Sequence, residues 1–392
     1  MRRSVQIRRV ITGILAATTA VALTACGSSG PGTLKAGEPS KVQVWALQDA
    51  AVNPIATSSI DAYNKANGTK IELVTYVNDA YKQKLQVAMG SPAAPDVFFN
   101  WGGLPMLGVL PVVLFINKDV FAAAGVQPPK TYADLLSLVD TFKAKGVTPI
   151  ALAGSQGWTE LMWLEYLLDR IGGADKFANI AAGKEGAWQD PTVVKALGEI
   201  QTFVKRGAFG TNFASVNYDN QGASKLFATG KAAMHLMGTW DFSVQKDANP
   251  DFIKNGKLGF TAFPAFEGGA GDPKSVVGNP SNYYSVNAAS KSKDASIDFL
   301  AKSLTSDQYI NGLIDAGQVP AVKGVETTLK SKPNADFTGF TYDLVANAPS
   351  FTQSWDQALS PSVSTELLTN LQKLFLGQVT PEAFVANMAK VK

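Results

Sequence analysis

Between residues 42 and 99, short apolar runs alternate with segments of helical character. This alternation limits the fold more than any other feature of the 392-residue chain. Residues 42–47, 70–75 and 95–99 read as strands, and 54–66 and 79–89 read as the helices between them. That rhythm predicts an α/β layer built on a parallel sheet. A second stretch follows the same logic. Residues 111–116 form a buried-type strand, and 119–124 a short helix ended by Gly125. Thr131 begins the next helix as N-cap, with Asp134 in its first turn. Asp190 and Pro191 make an N-cap and N1 pair, and Gly207 closes that helix. Residues 232–237 read as a core strand. The C-terminal third is largely helical, near 293–304, 361–375 and 381–390. There is no internal repeat, and no stretch after residue 25 reads as membrane-spanning.

The N-terminus sets the compartment. Arg2, Arg3, Arg8 and Arg9 stand without an acidic neighbour, and residues 10–23 are apolar or small. That run is too short to cross a hydrocarbon core of roughly 30 Å comfortably. The pattern reads as a secretory signal peptide over residues 1–25, by either a general or a twin-arginine route. Leu23-Thr24-Ala25-Cys26 resembles a bacterial lipobox, so Cys26 is expected to carry the lipid that anchors the protein to the outer face of the cell membrane. Cys26 is also the only cysteine, so no disulfide can form within the chain and stability must come from a large apolar core. Residues 26–40, rich in Gly, Ser and Pro, read as a flexible tether. The formal charge of +3 includes the four signal arginines; without them it is −1. A near-neutral body gives no electrostatic footprint for nucleic acid and suits an uncharged ligand.

Several motifs then carry a family resemblance. They are Val44-Trp45-Ala46-Leu47-Gln48-Asp49, Ala94-Pro95-Asp96-Val97-Phe98-Phe99-Asn100-Trp101, residues 112–121 with Asn117-Lys118, Ala228-Thr229-Gly230-Lys231-Ala232-Ala233-Met234, Gly238-Thr239-Trp240 and Ser354-Trp355-Asp356. With them the chain resembles the carbohydrate-type extracellular solute-binding lipoproteins of ABC importers, whose fold is like maltose-binding protein. The resemblance implies an α/β, two-lobe, periplasmic-binding-protein-like fold with hinge crossings and a central cleft. Residues 41–110 and 260–315 would form the first lobe, and 111–259 and 316–392 the second. It implies a monomer that captures a sugar, an oligosaccharide by preference, and delivers it to permease subunits without catalysis or cofactor. One departure stands out. After Gly103 the chain passes at once to Leu104-Pro105-Met106-Leu107-Gly108-Val109-Leu110-Pro111, so several tens of family residues are missing and the first lobe is shortened. Within that segment Leu107 and Leu110 stand where polar residues are common, and Ile116 where an aromatic is common.

A sugar offers C–H faces to aromatic rings and hydroxyls to directional polar groups, so tryptophan beside Asp, Asn or Gln at a strand end is the signature to seek. Trp45 with Gln48 and Asp49, Asn100 with Trp101, Trp158 with Glu160, Trp240 with Asp241, Asn279 with Asn282, and Trp355 with Asp356 all fit it. In open α/β sheets ligands bind beyond the carboxyl ends of strands, and four of these clusters follow proposed strands. Each has a plainer reading. A tryptophan can pack in the core, as Trp163 and Trp188 are expected to do, and Asp49, Asp241 and Asp356 can be helix N-caps. His235, the only histidine, reads as a core or wall residue between Met234 and Leu236. With one histidine and Cys26 lipidated, the common zinc ligand sets are unavailable. Neither a Gly-x-Ser-x-Gly elbow nor a phosphate-binding loop of the Gly-x-x-x-x-Gly-Lys-Ser/Thr type is present. A secreted glycoside hydrolase is the alternative, since paired carboxylates and tryptophans also line such sites, but no local motif pairs two carboxylates. A surface adhesion or sensor lipoprotein is a third reading.

Overall fold

The computed structural model describes residues 41–101, 108–280 and 283–391. The signal peptide, Cys26, the tether, the departure after Gly103 and Asn282 lie outside the described residues.

Two sheets organise the body. The first has the order β2-β1-β3-β9: β1 is Lys41–Leu47, β2 Lys70–Tyr76, β3 Val97–Asn100 and β9 Tyr283–Val286. The first three are parallel, as the alternation predicts, with Val44 opposite Leu73 on one side and Val97 on the other. β9 closes the edge antiparallel to β3. Helices Val52–Asn67, Asn78–Ala88, Lys293–Lys302 and Asp307–Asp315 bury their apolar stripes on this sheet through Ile60, Tyr63, Tyr81, Phe299 and Tyr309.

The second sheet has the path β10-β8-β4-β6-β5, with β7 also on β4. Here β4 is Leu110–Asn117, β5 Thr148–Ala151, β6 Ala232–Gly238, β7 Leu258–Thr261, β8 Val276–Asn279 and β10 Phe351–Gln353. This sheet is mixed: β4 runs antiparallel to β6, β7 and β8, while β5 is parallel to β6. β4 and β6 are buried along their whole lengths, which is why both read as unbroken apolar runs rather than alternating ones. The helical signals act as expected. Thr131 and Asp134 form a reciprocal capping box, Asp190 Oδ1 accepts from Thr192 N at 2.9 Å, and Gly207 ends its helix at φ 78°. Helix Gly157–Gly172 is buried on nearly every face. Helices Pro191–Arg206 and Pro361–Phe375 pack on it. Its Arg170 is buried and holds the 263–275 loop by donating to the carbonyls of Ser275 (2.9 Å) and Pro273 (3.1 Å).

The lobe division differs from expectation at one boundary. Residues 260–280 do not join the first sheet, because β7 pairs with β4 and β8 is fixed between β4 and β10. The chain returns to the first sheet at Tyr283. Among the described residues the chain passes between the sheets three times: between Asn100 and Leu110, between Asn279 and Tyr283, and after Asp315. Two crossings are tied where Val109 N donates to Val319 O at 3.2 Å. Among the described residues no helix is long and apolar enough to cross a membrane.

Candidate functional site

A cavity of about 250 Å³ is lined from both lobes. The first lobe contributes Gln48 and Asp49 from the end of β1, Asn78 and Lys82 from the helix after β2, and Trp101 beyond β3. The second contributes Trp158 at the start of Gly157–Gly172, Tyr218 and Asp219 from a turn, Trp240 beyond β6, Asn279 at the end of β8, and Asp356 beyond β10. Most of these positions follow strand ends, where an α/β sheet leaves its ligand crevice.

On the first-lobe side, Asp49 is held rigidly. Its Oδ1 accepts from Ala51 N (2.8 Å) and Val52 N (2.9 Å), and Asn53 locks the turn by bonding Asp49 N and the Leu47 carbonyl. Burial in the wall pushes its carboxyl above the usual range, against the pull of those two N–H groups. Asp49 therefore caps the helix start and lines the cavity at once.

The second-lobe wall is aromatic. Trp158 meets Tyr218 edge-on with ring centroids 5.0 Å apart, and Trp240 lies 6.4 Å from Trp158. Beneath it is a buried polar knot. Asp241 accepts from Tyr218 Oη (3.1 Å), Ser224 Oγ (2.8 Å) and Gln245 Nε2 (2.6 Å), with His235 Nε2 3.5 Å away. Burial and the Asp241 charge push the Tyr218 hydroxyl well above its ordinary pKa, so it remains a donor. His235 is buried in β6 with Nδ1 2.9 Å from the Ala151 carbonyl, a core position as expected.

Polar contacts among the described residues cross the cleft. Lys82 Nζ pairs with Asp356 Oδ2 at 2.9 Å while standing 5.0 Å from the Trp101 ring centroid. Gln353 Nε2 donates to the Trp101 carbonyl at 2.8 Å, and Gln156 Nε2 reaches Asp79 Oδ2 at 3.4 Å. Asp219, beside Gln156, is raised by burial and by the nearby Asp79 charge.

Of the residues expected at the site, Gln48, Asp49, Trp101, Trp158, Trp240, Asn279 and Asp356 line the cavity, and five do not. Trp45 sits within the β1 ladder opposite Val74 and Phe98, its indole N–H spent on Gln43 Oε1 at 2.8 Å. Asn100 is in the β3–β9 pairing and donates to Ser285 Oγ at 2.6 Å. Glu160 is buried one turn inside its helix, where desolvation pushes its carboxyl up to about 9. Asp241 is the centre of the polar knot. Trp355 is 1% exposed and stacks on Phe177 at 4.6 Å, a packing role. Sequence reasoning missed Lys82, Tyr218 and Asp219. The run Asn217-Tyr218-Asp219-Asn220 carries the same aromatic-plus-amide signature, without the tryptophan or preceding strand that drew attention elsewhere.

Comparison with known proteins agrees with this geometry. The model of the family described as bacterial extracellular solute-binding protein matches residues 47–310. The multiple sugar-binding protein of Streptococcus mutans is 28% identical over 217 residues, covering 54% of this chain and 49% of that one. An uncharacterized ABC transporter extracellular-binding protein of Pyrococcus horikoshii is 30% identical over 183 residues, covering 45% and 40%. The chain thus spans about half the length of the curated relatives it matches. Among solved structures, one described by xylan utilization in the thermophile Caldanaerobius polysaccharolyticus superposes with a TM-score of 0.80 at 27% identity, covering 89% of this chain and 99% of that one. A chitin oligosaccharide binding protein shares the fold with a TM-score of 0.79 at 22% identity, over 90% and 98%. Two lobes, three crossings, a cleft at the strand ends and a family match over most of the chain lead to one assignment: the protein belongs to the bacterial extracellular solute-binding protein family.

Proposed function

We propose that this protein captures a sugar, an oligosaccharide by preference, and delivers it to the permease subunits of an ABC importer. The observation that carries the reading is the cavity itself. Three tryptophan rings, Trp101, Trp158 and Trp240, stand among Asp49, Asn78, Asp219 and Asn279, which is the combination that C–H faces and hydroxyls require. The sugar class is supported by the names of a sugar-binding relative and of neighbours described by xylan and chitin oligosaccharides. Capture is a closure equilibrium: a ligand that touches both lobes favours the closed form, which then docks on the permease. The site works by binding alone, as a monomer, at the outer face of the membrane, with residues 1–25 removed and Cys26 lipidated.

A thermal-shift screen against mono- and oligosaccharides tests the reading. A ligand at about 100 times its Kd stabilises the fold by roughly 2.7 kcal/mol, a clear rise in melting temperature. Cooperative melting unmoved by every sugar contradicts sugar capture. Release of reducing ends from an oligosaccharide favours the hydrolase instead.

A further inference from the structure

We infer that Gly238 is a positioning residue that fixes the orientation of the Trp240 ring, and with it the ligand-stacking face of the cleft. The inference rests on the saccharide reading of that cleft. Gly238 ends β6 opposite Val112 and does not occupy the left-handed region, so its backbone would accept any side chain. The space would not. A Cβ at this position would lie 1.9, 2.1 and 2.2 Å from Cζ3, Cη2 and Cε3 of Trp240. Non-bonded carbons prefer roughly 3.5–4.0 Å, so the indole rests directly on the glycine Cα.

Neither flank of Trp240 can move aside. The preceding Thr239 N donates to the Pro111 carbonyl at 2.9 Å. The following Asp241 is fully buried and held by Ser224 Oγ and Gln245 Nε2. A methyl group at residue 238 must therefore be accommodated by rotation of the ring, away from its present 48° tilt and 6.4 Å centroid distance to Trp158. The glycine of the Gly238-Thr239-Trp240 run is thus explained by ring placement and not by a turn.

The test compares Gly238→Ala, Trp240→Ala and the double variant in the full protein, by near-ultraviolet circular dichroism without ligand and by titration with the sugar that shifts the wild type. The dichroism reads the Trp158–Trp240 coupling and needs no sugar. Gly238→Ala is expected to alter that spectrum and to weaken sugar affinity roughly tenfold or more. In the Trp240→Ala background the same glycine change is expected to leave the melting temperature and the remaining dichroism unaltered, because its steric partner is gone. If Gly238→Ala fails to fold while the double variant folds, the ring clash is equally established. An unchanged spectrum with wild-type affinity, or a glycine cost that persists without Trp240, overturns the inference. If the wild type binds no sugar, the saccharide reading falls, and the dichroism alone still decides whether Gly238 sets the ring.

Discussion

Replacing Glu160 with glutamine should stabilise this protein, and by an amount that depends on pH in a defined way. Glu160 is 1% exposed, its Oε2 has no hydrogen-bond partner, and desolvation alone raises its carboxyl from 4.5 to about 9. At neutral pH the folded protein therefore keeps the proton while the unfolded chain releases it. The associated stability is fully present below the unfolded value of 4.5 and is lost as pH rises toward the folded value. Each unit costs about 1.4 kcal/mol, so at pH 7 the group costs on the order of 3 kcal/mol. Glutamine fills the same volume and ionises in neither state. The expected outcome is no difference between Glu160→Gln and wild type near pH 4 and a growing advantage from pH 5 to 8. At pH 7 the advantage corresponds to about 4 °C for a body of this size. Melting followed by circular dichroism across that range measures it. Sugar affinity should be unchanged, because Glu160 does not line the cavity. A pH-independent difference, or destabilisation at pH 7, would mean that the folded protein does not hold the Glu160 proton.

Three further outcomes separate binding from packing. Trp240→Ala should abolish or greatly weaken sugar binding with little loss of stability, whereas Trp355→Ala should cost about 3–5 kcal/mol, since its stacked ring fills the core beside Phe177. Calorimetry and thermal melting on both variants distinguish the two roles. Lys82→Met removes a cation that joins the lobes and leaves Asp356, whose side chain is 5% exposed, without its counter-charge while Gln357 Nε2 still donates to it at 2.8 Å; the unliganded protein should become more open, seen as a larger radius of gyration by small-angle scattering. Arg170→Met should destabilise by about 3–5 kcal/mol in chemical denaturation, because it leaves the Asp169 carboxylate and four loop carbonyls without their buried donor.

Much of the fold was legible in the sequence, for identifiable reasons. The first sheet followed from alternation, since parallel strands joined by helices require it, and the caps at Thr131, Asp190 and Gly207 marked helix ends by local chemistry alone. The place where the chain returns to the first lobe was not legible. Leu258–Thr261 and Val276–Asn279 are four-residue strands whose sheet is chosen by pairing with β4, a contact distant in sequence. The site divided along a similar line. A tryptophan beside a carboxylate marked the right neighbourhoods, but one residue of register decides which member faces the cavity. Asp356 lines it while Trp355 is core; Trp240 lines it while Asp241 is buried. Lys82 and Tyr218 were invisible because their roles depend on a partner across the cleft or beneath it.

Isothermal titration of the purified protein with xylo-, chito- and raffinose-type oligosaccharides asks whether the cleft captures a sugar at all. One saturable site of unit stoichiometry is expected for at least one sugar class, with a negative heat-capacity change from the buried aromatic wall and loss of the signal in Trp240→Ala. Absence of heat with every sugar, or an undiminished signal in Trp240→Ala, would contradict it.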